Sequence, residues 1–284
     1  MAHHIIGLDH TVLAASDLEA ARETYRRLGF TLTPRGRHIG WATGNYCIMF
    51  PRNYLELLGI AEPGGFTAGL EETLKARGEG VHKLVFGMDD AAKARASLAE
   101  AGLNPSEPQS LKRELELPEG TVLPAFLLVH LPPEATPQTS MFLCQHLTPE
   151  LLRRPEWLVH PNGADHISAV VVVVDDPTAL ELAYERLFGP GSTVRTDRMV
   201  AVRTGAEVLL FVTPDDLSTL FPDLDFRPRP MPYVAGMRFH VHNPDAVATY
   251  FKVAGVAHER SLDGTVLVPA EAAHGCFLEF SSRS

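Results

Sequence analysis

Residues 8–30 read LDHTVLAASDLEAARETYRRLGF. A short apolar strand runs straight into a helix with strong punctuation. Ser16 is a suitable N-cap, and Glu19, three residues on, completes an S-x-x-E capping box. Leu18, Ala21, Tyr25 and Leu28 then recur at helical spacing and give one apolar stripe. Gly29 supplies the left-handed residue that ends the helix.

The same plan returns three times: GVHKLVFGMDDAAKARASLAEAG (80–102), GADHISAVVVVVDDPTALELAYERLFG (163–189) and GMRFHVHNPDAVATYFKVAG (236–255). In the last two, Asp176–Pro177 and Asn243–Pro244 place a cap before a proline at the first helical position. Each helix is followed by β-like segments, such as GNYCIMF and NYLELLGI after the first and TVLPAFLLVHL and SMFLCQHL after the second. Four βαβββ units follow from this repeat. Residues 148–162, TPELLRRPEWLVHPN, read as a short helix and a linker. Residues 222–232, PDLDFRPRPMP, read as a proline-rich connection. The expected layout is a first domain over 1–150, a linker over 151–164 and a second domain over 165–284.

The chain has 284 residues, a formal net charge of −10, 45% hydrophobic and 21% charged residues. That composition is globular. The negative balance argues against nucleic acid or an anionic membrane surface as partner. Cys47, Cys144 and Cys276 are too scattered for a disulfide framework, which points to a reducing, cytoplasmic setting. The start, MAHHIIGLDH, lacks the features of a secretory signal. The longest apolar stretch, Ile167 to Val174, is too short to span a bilayer. Oligomeric state is left open; a homodimer is compatible with such a chain.

LDHTVLAASDLEAARETYRRLGF, GNYCIMF and YLELLGI, with FLCQHLTPE and HPNGADH, resemble the vicinal oxygen chelate superfamily, in its glyoxalase-like and bleomycin-resistance-like branches. The resemblance implies an α+β fold of two such domains. In each, paired βαβββ units curl a mixed sheet around a cleft. It also implies metal ligands projecting into the cleft from the first and last strand of each unit. On that pattern the first unit offers His10 and Glu56. The second offers His82, which precedes Asp89 by the seven residues that separate His10 from Asp17. Two imidazoles and a carboxylate leave open coordination positions for Zn²⁺, Fe²⁺, Mn²⁺ or Ni²⁺.

The fourth position departs from glyoxalase I-like enzymes, which carry a glutamate. Matching NYLEL to MFLCQ sets Cys144 opposite Glu56. His146 is the better ligand chemically and a candidate general base. Gln145 faces away unless a bulge intervenes. In the second domain only His166 and Glu279 are candidate ligands, with Leu210 at the position of Glu56, Met237 or Arg238 near that of His82, and His240 and His242 out of register. Such a pair is too few to hold an ion. Asn45, Trp41 and Arg37 are candidate cleft residues or ordinary sheet-packing ones, and packing is the preferred reading for Trp41. Arg52 is either an anion contact or a strand-end residue. SLKRELELPEG reads as a solvated edge strand. Cys47 and Cys276 read as core.

These features imply a metal-dependent lyase, isomerase or dioxygenase acting on a small molecule with adjacent oxygens. The alternative is a non-catalytic small-molecule binder of the drug-sequestering kind. A third reading is a structural module whose clefts are filled by its own side chains.

Overall fold

A computed structural model describes residues 2–283. The first half carries β1 (Ile5–Ala14), α1 (Leu18–Arg27), β2 (Gly36–His38), β3 (Thr43–Met49), β4 (Tyr54–Ile60), α2 (Leu70–Arg77), β5 (Gly80–Met88), α3 (Ala91–Glu100), β6 (Gln109–Leu117), β7 (Gly120–Val122), β8 (Ala125–His130) and β9 (Met141–His146). The second half carries β10 (Ala164–Val173), α4 (Glu181–Phe188), β11 (Thr193–Thr196), β12 (Met199–Arg203), β13 (Val208–Val212), α5 (Pro214–Leu220), β14 (Tyr233–Val241), α6 (Pro244–Ala254), β15 (Glu259–Arg260), β16 (Val266–Val268) and β17 (Phe277–Ser281). Two mixed sheets result, with strand orders β2-β3-β4-β1-β5-β9-β8-β6-β7 and β11-β12-β13-β10-β14-β17-β16-β15.

In each sheet the first strands of two units lie antiparallel at the centre, β1 against β5 and β10 against β14. Each also pairs in parallel with the last strand of its own unit, as β1 does with β4 and β5 with β9. One face of each sheet looks toward the helices and the other half. There the α1 stripe of Leu18, Ala21, Tyr25 and Leu28 joins an apolar core common to both halves. Phe30 meets Phe239 with ring centroids 5.1 Å apart, and Phe86 meets Phe188 at 4.9 Å. The opposite face of each sheet is concave and carries its own cluster.

Several local expectations change. The α1 cap is Asp17, whose carboxylate accepts from the Ala20 N–H at 2.9 Å; Ser16 precedes it. The α3 cap is Asp90, one residue beyond Asp89. The SLKRELEL stretch is not an edge. As β6 it pairs with β8, β7 and β2, and the β2 contact closes the first sheet on itself. Its alternation therefore divides inside from outside. Arg113, Leu115 and Leu117 are buried within the curl, while Lys112, Glu114 and Glu116 face solvent. Among the described residues no helix is long and apolar enough to cross a membrane.

Candidate functional site

Strand register settles which residues are equivalent. On β1, His10 stands seven residues before the cap Asp17; on β5, Lys83 stands seven before the cap Asp90. The pairing agrees: His10 lies opposite Val85 and Val12 opposite Lys83. Val12 pairs with Glu56 on β4, and its counterpart Val85 pairs with Phe142 on β9. The residues at the four ligand positions of the family pattern are thus His10, Glu56, Lys83 and Phe142. All four line one cavity of about 100 Å³ in the curl of the first sheet. A single water needs roughly 10–15 Å³ by the same measure. The cavity therefore suits a small organic molecule.

His10 and Glu56 are brought together. His10 is 4% and Glu56 7% exposed. His10 Nδ1–H donates to Asp9 Oδ2 at 2.7 Å, leaving Nε2 facing Glu56 Oε2 at 3.6 Å. Neighbouring residues on a flat strand point to opposite faces. Here the register slips between Leu8 and His10, and that bulge lets Asp9 reach the imidazole beside it. The His10 ring stacks on Tyr54 at 4.3 Å.

Burial alone would push the Glu56 carboxyl up. His38, His10, Arg113 and the Asn45 amide outweigh it, so it is held below its ordinary value and ionised. Asn45 Nδ2–H donates to Glu56 Oε1, and His38 Nε2 lies 3.8 Å from the same oxygen. Gly36 is required here. A Cβ at that position would sit 2.2 Å from Asn45 Oδ1, so any larger residue would displace the amide from Glu56. Asp9 is also driven well below the ordinary range: His146 and His10 overcome its burial. Lys83 is lowered by burial, with Glu56 opposing.

Other expected site residues lie elsewhere. His82 is the residue at the β5 bulge, between Lys83 and Val81, and corresponds to Asp9. Its Nε2–H donates to the Gly78 carbonyl at 2.8 Å, and it lines neighbouring depressions rather than the cavity of His10 and Glu56. Counting back from Asp89 instead of Asp90 is what had paired it with His10. His146 donates from Nε2 to Asp9 Oδ2 at 3.0 Å, behind His10. Cys144 lines the cavity but corresponds to Leu58, not Glu56. Gln145 turns away and accepts from the Ala91 N–H. Trp41 lines the cavity, Arg37 pairs with Glu62, and Arg52 donates to His166 Nε2 at 2.6 Å. The sequence reading missed His38, Lys83 and Arg113. The inward phase of β6 was the available signal for Arg113.

The residues at the four positions do not fit the family's metal centre, since an ammonium and a phenyl ring replace two donors. Among the described residues two other groups of potential ligands come together: Asp9, Cys144 and His146, and Asp165, His166 and His240. In the first, burial pushes the Cys144 thiol well above its ordinary value, against the thiolate a metal needs, and Asp9 already serves two imidazoles. In the second, the Asp165 carboxylate accepts from both rings.

The second sheet has lost the site. Its equivalents, by the same register, are Ala169, Leu210, Gly236 and Glu279. The His82 counterpart is Ala235, not Met237 or Arg238, and His166 corresponds to Gly7. Glu279 is paired with Arg238 at 2.9 Å. Phe221, which follows α5, and Phe226, in the proline-rich connection, cover Phe277 and fill the concave face. Gly236 makes room for the Phe277 ring, whose atoms would lie 2.3 Å from a Cβ.

Comparison with known proteins agrees with this architecture. The chain is similar in structure to a hypothetical protein from Staphylococcus aureus, at 12% identity over 96% of this chain and 98% of that one, with a TM-score of 0.65. It is similar to a mutant 4-hydroxymandelate synthase from Streptomyces coelicolor, at 13% identity over 97% and 92%, with a TM-score of 0.58. A xylose isomerase-like TIM barrel/4-hydroxyphenylpyruvate dioxygenase fusion protein matches at 13% identity over 99% of this chain and 49% of its own, with a TM-score of 0.56. At these identities the likeness concerns the fold. No curated protein sequence matches the chain. The family model for the glyoxalase-like domain matches residues 8–188, which include all of the first sheet but the start of β1, together with the cavity and its four register positions. With most of its length matched, the chain belongs to the glyoxalase-like domain family of the vicinal oxygen chelate superfamily.

Proposed function

We propose that the first-sheet cavity is an enzyme site that moves a proton on a small molecule with adjacent oxygens, and that side-chain charges do there what a divalent ion does in the family pattern. The observation that carries this reading is the buried chain Asp9–His10–Glu56, with His10 and Glu56 on the cavity wall and Asp9 behind it. A carboxylate held ionised in a nearly dry site is a competent general base once substrate has displaced the water. Glu56 takes a proton from the carbon next to a carbonyl, and the electron pair moves onto the carbonyl oxygen. His10, oriented by Asp9, is placed to relay that proton or return it. Lys83 and Arg113 supply positive charge for the developing enolate. Replacement of the remaining ligand positions by Lys83 and Phe142 supports a site that works without an ion.

The test is exchange of the α-hydrogen of small 2-hydroxy ketones and 2-oxo acids in D₂O, followed by NMR. Exchange with the wild type that is lost in Glu56→Gln supports the reading. Saturable binding with no exchange would instead favour a sequestering protein. The apolar part of the lining, Phe126, Phe142, Leu111 and Leu128, gives that second reading its basis.

A further inference from the structure

Arg113 offers a buried charged edge that no group among the described residues takes up. The residue is 3% exposed. A guanidinium has five N–H donors, and here Nη1 donates to Cys47 Sγ at 3.2 Å. Nε and Nη2 have no hydrogen-bond partner among the described residues and are shielded from solvent. A buried cation left in this condition is costly. These two nitrogens form one side of the planar group, where their N–H bonds run nearly parallel. That fork matches the two oxygens of a carboxylate.

The surroundings favour the same class of ligand. Arg113 lines the cavity together with Lys83, Glu56 and His10. The fixed charges facing it are thus two cations against one carboxylate, Asp9 being engaged by His10 and His146 behind the wall. One further negative charge balances the set. The Phe126 ring lies 5.9 Å from the guanidinium carbon and helps to keep water from it. An incoming carboxylate must part these side chains as it enters.

We propose that the ligand of this cavity is a small carboxylic acid, its carboxylate seated side-on against Nε and Nη2 of Arg113 and its neighbouring oxygen-bearing carbon held toward His10 and Glu56. The orientation rests on the proton-transfer reading; the charge of the ligand does not.

The experiment compares free acids with neutral partners of the same size on the intact chain. Pyruvate and glycolate are set against methyl pyruvate and glycolamide, read by calorimetry and by shift of the melting temperature. The wild type should bind the acids in preference to the neutral compounds. Arg113→Met should weaken the acids by roughly 10- to 100-fold, the worth of a charge-assisted pair, and the neutral compounds far less, so that the preference for acids is lost. Arg113→Lys, which keeps the charge but not the fork, should recover only part of the loss. If Arg113→Met fails to fold, the acid-over-neutral preference and the Arg113→Lys titration still decide. Equal affinity for acids and neutral compounds, no binding of acids at millimolar concentration, or undiminished acid binding in both variants overturns the proposal. Acid binding without α-hydrogen exchange leaves it standing and removes the catalytic reading. Exchange on neutral ketones with no acid preference does the reverse.

Discussion

Lys83 stands on β5 where His10 stands on β1, each seven residues before its helix cap and each paired across the strands with the residue two beyond the other. This internal two-fold relation means that the cavity is built from matched halves with different chemistry. One half keeps imidazole and carboxylate. The other presents an ammonium and a phenyl ring. A metal centre needs lone pairs converging from both halves, and only one half provides them.

Restoring donors should therefore restore an ion. The double variant K83H/F142E completes the His, Glu, His, Glu set at the register positions. It is expected to hold about one Zn²⁺ per chain at neutral pH by mass spectrometry of the metal content, and to lose it when His10→Ala is added. The wild type should bind none at these residues. A wild-type ion that His10→Ala releases, with no gain in the double variant, would show that Lys83 does not exclude metal.

Glu56 carries the next expectation. Its carboxyl is held below the ordinary value of 4.5 because His38, His10, Arg113 and Asn45 outweigh burial. A lowered carboxyl stabilises the fold above its unfolded-state value, and that contribution is lost as pH falls through the folded one. Glu56→Gln should thus melt below the wild type at pH 7, by a gap that holds down to about pH 4.5 and closes only as pH falls further. Exchange activity should fall by about 10²- to 10⁴-fold. A variant that melts higher than the wild type at pH 7 would mean that burial, not its partners, dominates this carboxyl.

Much of this was legible in the sequence. The capped strand-helix repeat was enough for the four units and the two sheets, because caps and apolar periods are local signals. His10 could be placed because it stands seven residues before Asp17 at the start of α1, and Glu56 because β4 pairs without a bulge. The second half of the site could not. Its alignment turned on which of two adjacent aspartates, Asp89 or Asp90, caps α3, and a hydrogen bond to the Lys93 N–H decides that in favour of Asp90. The bulges at Asp9 and His82 then put side chains where alternation does not predict them. Arg113 was misread because closure of the sheet through β2 turned a charged edge strand into an inner one.

The second sheet gives a separate prediction. Phe221 lies 4.6 Å from Phe277, ring centre to ring centre, and is buried in the cluster that fills that concave face. Phe221→Ala should cost about 3 kcal/mol in stability, seen as a lower urea midpoint. Ligand binding and exchange at the first sheet should stay unchanged. An accompanying loss of exchange would mean that the two clefts are coupled.

The last prediction concerns the segment between the sheets. His160, in that segment, accepts the Thr31 N–H at Nδ1 over 3.0 Å and donates from Nε2 to the Met49 carbonyl at 3.0 Å. Both ring nitrogens are used by the neutral imidazole, one as acceptor and one as donor. Protonation would put a second N–H against a donor. Burial lowers the group from 6.5 to about 4, with the Met49 hydrogen bond opposing. The sign follows from proton uptake. Between those values the unfolded chain binds a proton that the folded chain refuses, so stability rises with pH across the interval. The contribution is complete above pH 6.5 and falls away toward pH 4, by on the order of 3 kcal/mol. Acid should therefore loosen the attachment of residues 158–163 to β3 and the end of α1. Urea unfolding at intervals from pH 7 to pH 4.5 checks it against His160→Gln, which does not titrate. The wild type should lose stability faster than the variant as pH falls, so that the two curves converge. Parallel curves would mean that His160 takes its proton as readily in the folded protein as in the unfolded chain.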